Sequence, residues 1–296
     1  MCGLLLINKP AGITSYGAVS RIKKLTGERH VGHTGTLDPM ATGVLPVLIG
    51  RATKLSDYIL CADKCYTAVV RLGVTTDTLD ITGNVLSTSA VGVTNSDIDS
   101  ALGKFTGVIE QTPPMFSAIK KDGVRLYKLA REGRKADIPS RRVEVFSINR
   151  ESDPDENFEF TVSCRVSKGT YIRSLVRDIG ELLGTGATLS ALTRTETAGF
   201  VIEDCVSLEE LSEDNVKDFI LPASRALGNV DTVYVTDAQA VRFSNGGNLY
   251  INRTSGKEPE DGETVKVNLK DRFLGLAQAT GGTLKVKCLV DPVEKE

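Results

Sequence analysis

No stretch of this 296-residue chain approaches the roughly 20 consecutive apolar residues that a membrane span requires. Its opening residues, MCGLLLINKP, also lack the basic leader of a secretory signal. A soluble, cytoplasmic protein is therefore expected. Cysteine is sparse: the six, at 2, 61, 65, 164, 205 and 288, are scattered too widely for a disulfide framework. Cys61 and Cys65 could edge a metal site, yet no second pair and no nearby histidine completes the four ligands that zinc demands. Reduced thiols and no metal are expected. Histidine is nearly absent, and both residues, His30 and His33, fall in one short segment. The glycine-rich part of that segment, GHTGTLDP, has neither the spacing nor the lysine of a P-loop. A basic excess is missing too: 36 Lys and Arg face 38 Asp and Glu, unlike the usual footprint of a nucleic-acid binder.

What the chain does have is charge segregation. Residues 119–142 hold nine bases (Lys120, Lys121, Arg125, Lys128, Arg131, Arg134, Lys135, Arg141 and Arg142) against Asp122, Glu132 and Asp137. Residues 151–159 hold five acids and no base, and residues 203–218 hold seven acids against Lys217. This separation would let the basic segment meet a phosphate backbone while the acidic ones face away. A solvated charged helix would read the same way.

Periodicity gives a coarse map. Residues 3–8 read as a buried strand, and Thr14-Ser15 cap a helix carrying Val19, Ile22 and Leu25 that stops at Gly27. An apolar run over 44–49 leads to a short helix at 52–60. Residues 65–72 alternate as a half-buried strand with Tyr66 on the more apolar side. A strand is expected at 84–87 and an amphipathic helix at 94–105. Lys121-Asp122-Gly123 is a turn signal, followed by a basic helix at 124–133 and paired strands at 142–149 and 157–166. A helix at 170–183 carries Arg173 in its first turn. Strands joined irregularly by helices and hairpins indicate an α+β fold. The length favours two domains: one at 1–225 and, beyond Pro222 and Gly228, a small β-rich one at 230–292, with a helix at 237–243 and strands at 264–268, 273–277 and 284–289.

The chemistry concentrates in HVGHTGTLDPMATGVLPVLIGRATK, residues 30–54. It sets one carboxylate, Asp38, on a bend with Pro39 after it and Gly32, Gly35 and Gly43 around it. Such a chain can hold a single catalytic group at the mouth of a cleft. Asp-Pro in a glycine-rich loop is equally at home in an ordinary turn.

This block resembles the catalytic motif of the TruB family of tRNA pseudouridine synthases, whose G-x-x-x-G-[TA]-L-D-P run carries the catalytic aspartate. INKPAGITSYGAVSRIKK (7–24), CYTAVVRLGVTTDTLDITG (65–83), TPPMFSAIKKDGVRLYKLAREG (112–133) and VSKGTYIRSLVRDIGELLG (166–184) resemble further family blocks, in the family's order. The resemblance implies a mixed, largely antiparallel sheet of the pseudouridine synthase type with flanking helices, plus a PUA-like RNA-binding domain at the carboxyl end. It implies that Asp38 attacks covalently, that Arg173 pairs with it, and that Tyr66 lies against the target base. It also implies that His33 contacts RNA around the everted nucleotide and that Leu192 lies near the base. Tyr171 and Lys9 would join the substrate contacts, Lys9 and Pro10 also supporting the active-site loop. The implied reaction is isomerisation of uridine 55 in the tRNA T-arm, without metal, cofactor or obligate protein partner, by a monomer whose basic segment at about 112–142 meets the RNA. A guide-RNA-dependent relative acting on ribosomal RNA, or a non-catalytic RNA-folding protein, would share parts of this pattern.

Overall fold

The computed structural model describes residues 1–293 apart from positions 122, 135 and 229. Its centre is a ten-stranded sheet. Along its main path run Val206–Ser207, Gly3–Lys9, Thr42–Ile49, Ala187–Thr197, Lys64–Leu72, Glu159–Val166, Arg141–Arg150 and Gly107–Gln111. Val31–His33 and Phe200–Val201 branch from this path. Among the described residues of this sheet, only the pairings of Gly3–Lys9 with Val206–Ser207 and of Thr42–Ile49 with Ala187–Thr197 are parallel. The fold is therefore α+β with a mixed, mainly antiparallel sheet, as the sequence predicts.

The helices Ser15–Thr26, Asn95–Gly103 and Ile172–Leu182 bury their apolar stripes in the principal core. Ile22, Ile98 and Ile179 are wholly enclosed there, each contributing about 1.5–3 kcal/mol relative to an exposed side chain. The caps follow the sequence: Thr14 accepts from the Gly17 amide, and Thr94 with Asp97 forms a capping box. Leu4, Leu5, Leu6 and Ile7 are an unbroken apolar run because both faces of their strand are covered. Leu5 and Ile7 face the principal core. Leu4 and Leu6, with Val44 and Leu48, share a second core with Phe273, Leu276 and Val290.

Those last three belong to the carboxy-terminal part, where a six-stranded sheet has the order Leu249–Tyr250, Thr283–Leu289, Arg272–Thr280, Thr264–Leu269, Thr232–Tyr234 and Ser255–Gly256. The helix Asp237–Ser244 packs on it through Ala240 and Phe243. The β-rich character expected for this part is present.

Three expectations change in detail. The basic helix spans only Leu126–Arg131, because Val124–Arg125 pairs back on Lys120–Lys121 as a hairpin; the middle of the expected turn, Asp122, lies outside the described residues. The helix after the apolar run begins as a 3-10 turn over Gly50–Leu55 and turns α-helical only at Ser56–Leu60. Finally, Ala187–Thr197, to which periodicity assigns no element, is the longest strand and lies at the middle of the large sheet.

Candidate active site

Asp38 sits between Val31–His33 and Thr42–Ile49, in a loop that the amino-terminal residues pin from below. Ser15 is buried; its hydroxyl donates to the Leu37 carbonyl at 3.0 Å and accepts from the Leu37 amide at 2.9 Å. The Gly12 amide donates to the Pro39 carbonyl at 2.8 Å. Lys9, wholly buried, donates to the carbonyls of Pro10 (2.7 Å), Ile13 (2.9 Å) and Pro39 (3.3 Å). These three contacts use the three hydrogens of its ammonium, so Lys9 supports the loop from beneath rather than reaching an open surface. Burial lowers its pKa to about 8, with the Asp38 charge opposing that shift.

The loop leaves the Asp38 side chain 31% exposed and facing Arg173. Arg173 Nη2 donates to Asp38 Oδ1 at 3.0 Å, and its Nε lies 2.8 Å from Oδ2, a side-on pairing that fixes the plane of the carboxylate. The arginine is buried in the first turn of Ile172–Leu182. It also donates to the Thr78 carbonyl (Nη1, 2.9 Å) and the Phe116 carbonyl (Nη2, 2.9 Å).

A second carboxylate, Asp80, lies 3.7 Å from Arg173 Nη1 and is as buried as the arginine. Asp80 Oδ1 accepts from the Thr78 hydroxyl (2.8 Å) and from the Thr82 amide (3.0 Å) and hydroxyl (2.5 Å). Nothing in the spacing around Asp80 marks it, because its partner is almost a hundred positions away. Burial pushes the Asp38 carboxyl above the ordinary carboxylate range. Asp80 adds to that shift, while Arg173 and Lys9 oppose it.

Tyr66 lies on the inward face of Lys64–Leu72, buried, in the same core as Leu37 and Leu192. Burial raises its phenol pKa, with the charge of Arg194 acting the other way, so it carries its proton at neutral pH. Leu192 and Arg194 both come from the central strand Ala187–Thr197. Arg194 is 1% exposed, and no local pattern in the sequence points to it.

His33 is half-buried; burial and then Arg194 lower its pKa, which favours the neutral ring, and its Nδ1 has no partner among the described residues. Tyr171 caps the Arg173 helix. Its backbone is clasped by the wholly buried Gln111, which accepts from the Tyr171 amide at 2.8 Å and donates to its carbonyl at 3.1 Å. Arg141 stacks on the Tyr171 ring at 4.8 Å and donates to the Gly169 carbonyl.

Thus Asp38, Arg173 and Asp80 form one charged cluster, with Lys9 below. Tyr66, Leu192 and Leu37 form an apolar wall, and Arg194 stands between that wall and the loop. The basic segment is tied to this cluster through Phe116. Lys120, Arg125, Lys128, Arg131, Arg134 and Arg142 are exposed or half-buried along it. A cavity of about 480 Å³ is lined by Leu79, Pro113, Met115, Ile138 and Arg177, and none of Asp38, Asp80 and Arg173 is among its lining residues. A larger one, about 690 Å³, lies beside Cys65, Arg165 and Lys266, and Asp38 is not among its lining residues. Among the described residues no group of three or more His, Cys, Asp or Glu is arranged to hold a metal ion, and no helix is long and apolar enough to cross a membrane.

Gly43, just after the loop, has φ +104°, and a Cβ there would lie 2.2 Å from the Arg194 carbonyl oxygen. Gly43→Ala is expected to lower unfolding stability by more than about 2 kcal/mol. Denaturant titration checks it, and a change below the error of that titration would mean that the loop and strand can separate without cost.

Residues 23–172 match the TruB family pseudouridylate synthase (N terminal domain), and residues 173–228 the tRNA pseudouridylate synthase B C-terminal domain. The chain belongs to the TruB family of pseudouridylate synthases. It is 41% identical over 292 residues to a tRNA pseudouridine synthase B of Clostridium tetani, covering 98% of this chain and 100% of that one. To the protein of the same name from Azoarcus sp. it is also 41% identical over 292 residues, covering 97% and 94%. Among solved structures it resembles a chain of a Cbf5-Nop10-Gar1 complex (TM-score 0.74, 28% identity, 98% of this chain and 85% of that one). It is similarly close to a chain of an H/ACA RNP bound to a substrate RNA containing 2'-deoxyuridine (TM-score 0.74, 26% identity, 98% and 85%).

Proposed function

We propose that this protein converts a uridine of tRNA, uridine 55 in the T-arm loop, to pseudouridine, with Asp38 as the covalent nucleophile. The observation that carries this reading is the Asp38 carboxylate itself: partly open to solvent, gripped side-on by a buried arginine, and backed by the wall containing Tyr66. The isomerisation breaks the bond from uracil N1 to ribose C1′ and makes one from C5 to C1′; the C5 proton leaves and N1 gains one. A nucleophile that captures the detaching nucleotide divides this into easier steps.

Arg173 keeps Asp38 ionised and oriented, and Asp80 braces Arg173 from behind. Tyr66 offers an aromatic face to the target base, where stacking supplies about 1–3 kcal/mol, and Leu192 completes the apolar side. A base inside a folded loop is out of reach, so the nucleotide is everted at a cost of a few kcal/mol. His33 and Tyr171 contact RNA around it. Residues 1–225 form the catalytic unit and 230–292 a PUA-like RNA-binding unit.

Identity of about 40% to tRNA-acting relatives over nearly their whole length, against 28% to the Cbf5 chain, supports tRNA as the substrate, without a guide RNA. The test is an unmodified tRNA transcript with no other RNA, protein or metal. Pseudouridine at the T-loop uridine is expected, and tight tRNA binding without product would sink the reading.

The basic segment supplies backbone contacts. Reversing Lys128, Arg131 and Arg134 to glutamate together is expected to weaken tRNA binding at least about tenfold near 0.1 M salt, and to flatten the salt dependence by roughly 0.7–0.9 for each phosphate no longer neutralised. Filter binding across a salt series measures this, and an unchanged slope would place the RNA elsewhere.

A further inference from the structure

Beneath the Asp38 loop the chain buries three cations, Lys9 (0% exposed), Lys64 (9%) and Arg194 (1%). Among the described residues none of the three forms an ion pair with a carboxylate. Placing a charge there without a counter-ion opposes folding, and a position needed only for packing would do better with an apolar side chain. For the two lysines burial lowers the pKa, each to about 8. A guanidinium has no such escape, so Arg194 must be retained for what it binds.

Its contacts join three elements. Nε donates to the Val44 carbonyl at 2.8 Å and Nη2 to the Gly35 carbonyl at 2.9 Å. Arg194 and Tyr66 are also direct partners across the ladder of Ala187–Thr197 with Lys64–Leu72, which sets the two side chains next to each other on adjoining strands. Gly35 and Val44 stand on either side of Asp38 in the chain. The planar fork therefore grips both limbs of the nucleophile loop while its strand sets Arg194 directly across from Tyr66, a geometry that one ammonium cannot reproduce.

We propose that Arg194 is a positioning residue that locks the Tyr66 ring and the Asp38 loop to each other, so that platform and nucleophile address one nucleotide in a single geometry. This rests on the roles proposed above for Tyr66 and Asp38, and adds how the two are held in register. Arg194 touches neither the substrate nor the reacting atoms.

The test has two arms. In the protein without RNA, amide hydrogen exchange at residues 35–38 reports on the loop. A 19F resonance from 3-fluorotyrosine, assigned to position 66 by its loss in Tyr66→Phe, reports on the ring. Arg194→Gln is expected to speed exchange at 35–38 at least tenfold and to shift or broaden the Tyr66 resonance, while the helix Ile172–Leu182 exchanges as before.

In the second arm, single-turnover pseudouridine formation on a tRNA transcript is expected to fall at least a hundredfold in Arg194→Gln, with tRNA Kd changed less than threefold. The double variant Tyr66→Phe/Arg194→Gln should be no slower than the slower single variant, because the two side chains act through one contact. Unchanged exchange together with an unchanged resonance overturns the proposal whatever the activity, and so do losses that multiply in the double variant. Should the parent protein form no product, the enzymatic reading fails while the first arm still decides whether Arg194 is the clamp. If Arg194→Gln does not fold, Arg194→Lys takes its place in both arms, with loop exchange expected at least threefold faster and parental exchange counting against the proposal.

Discussion

Asp38→Asn is expected to abolish pseudouridine formation, by at least about 10⁴-fold in single-turnover rate, while tRNA affinity stays within a few-fold of the parent protein. Asparagine fills the same space and leaves Ser15, Gly12 and Lys9 holding the loop through backbone carbonyls that the substitution does not touch. What it removes is the proposed anionic nucleophile, for which a neutral amide offers no substitute. Release of tritium from tRNA labelled at uridine C5 measures the rate, and filter binding measures the affinity. Residual product at a tenth of the parental rate would mean that the carboxylate only steers the nucleotide and that another group breaks the glycosidic bond.

The second large effect is on pH dependence. In the proposed reaction Asp38 acts as the carboxylate, so activity is expected to fall as pH drops through its pKa in the folded protein, which burial and Asp80 hold above the ordinary value while Arg173 pulls it down. Removing the cation with Arg173→Gln therefore moves the acidic limb of the rate profile to higher pH, by about one pH unit or more. The same change slows the reaction about 10²–10³-fold at the plateau, because the side-on pairing that orients the nucleophile is gone. Asp80→Asn takes away a neighbouring negative charge and moves the limb the other way, to lower pH, with a smaller plateau loss from a less firmly held Arg173. Opposite displacements in the two variants are the signature. Displacement in the same direction, or none, would show that the limb belongs to some other group.

Much of this site can be read from the chain because its parts lie in contiguous blocks. Asp38 on its glycine-rich bend, Tyr66 on an alternating strand and Arg173 in the first turn of an amphipathic helix each come with a local pattern, and the structure places Asp38 and Arg173 in direct contact. Ala187–Thr197 is not legible, for a physical reason: part of its buried side is polar. The Thr188 hydroxyl is hydrogen-bonded to Thr76 at 3.0 Å, and Arg194 is satisfied by the carbonyls of Gly35 and Val44. Alternation of apolar and polar residues therefore misreports which side faces inward. Asp80 escapes notice on the same account, since its burial is decided by Arg173 and by a hydroxyl cage rather than by its neighbours' hydropathy. The basic helix is shorter than the sequence suggests because charge along 124–133 says nothing about a hairpin that holds the first two residues extended.

The second apolar core, in which Leu4, Leu6, Val44 and Leu48 meet Phe273, Leu276 and Val290, bears on how this chain can change over generations. A lineage could not shed the carboxy-terminal sheet through a single premature stop. The second core would lose Phe273, Leu276 and Val290, and the cover that Ala52, Leu55, Phe200 and Leu227 give the underside of the large sheet would be left with an apolar side open to water. Loss of that sheet would have to be accompanied by polar replacements among the residues of this second core that remain, so a shortened descendant would carry its history there.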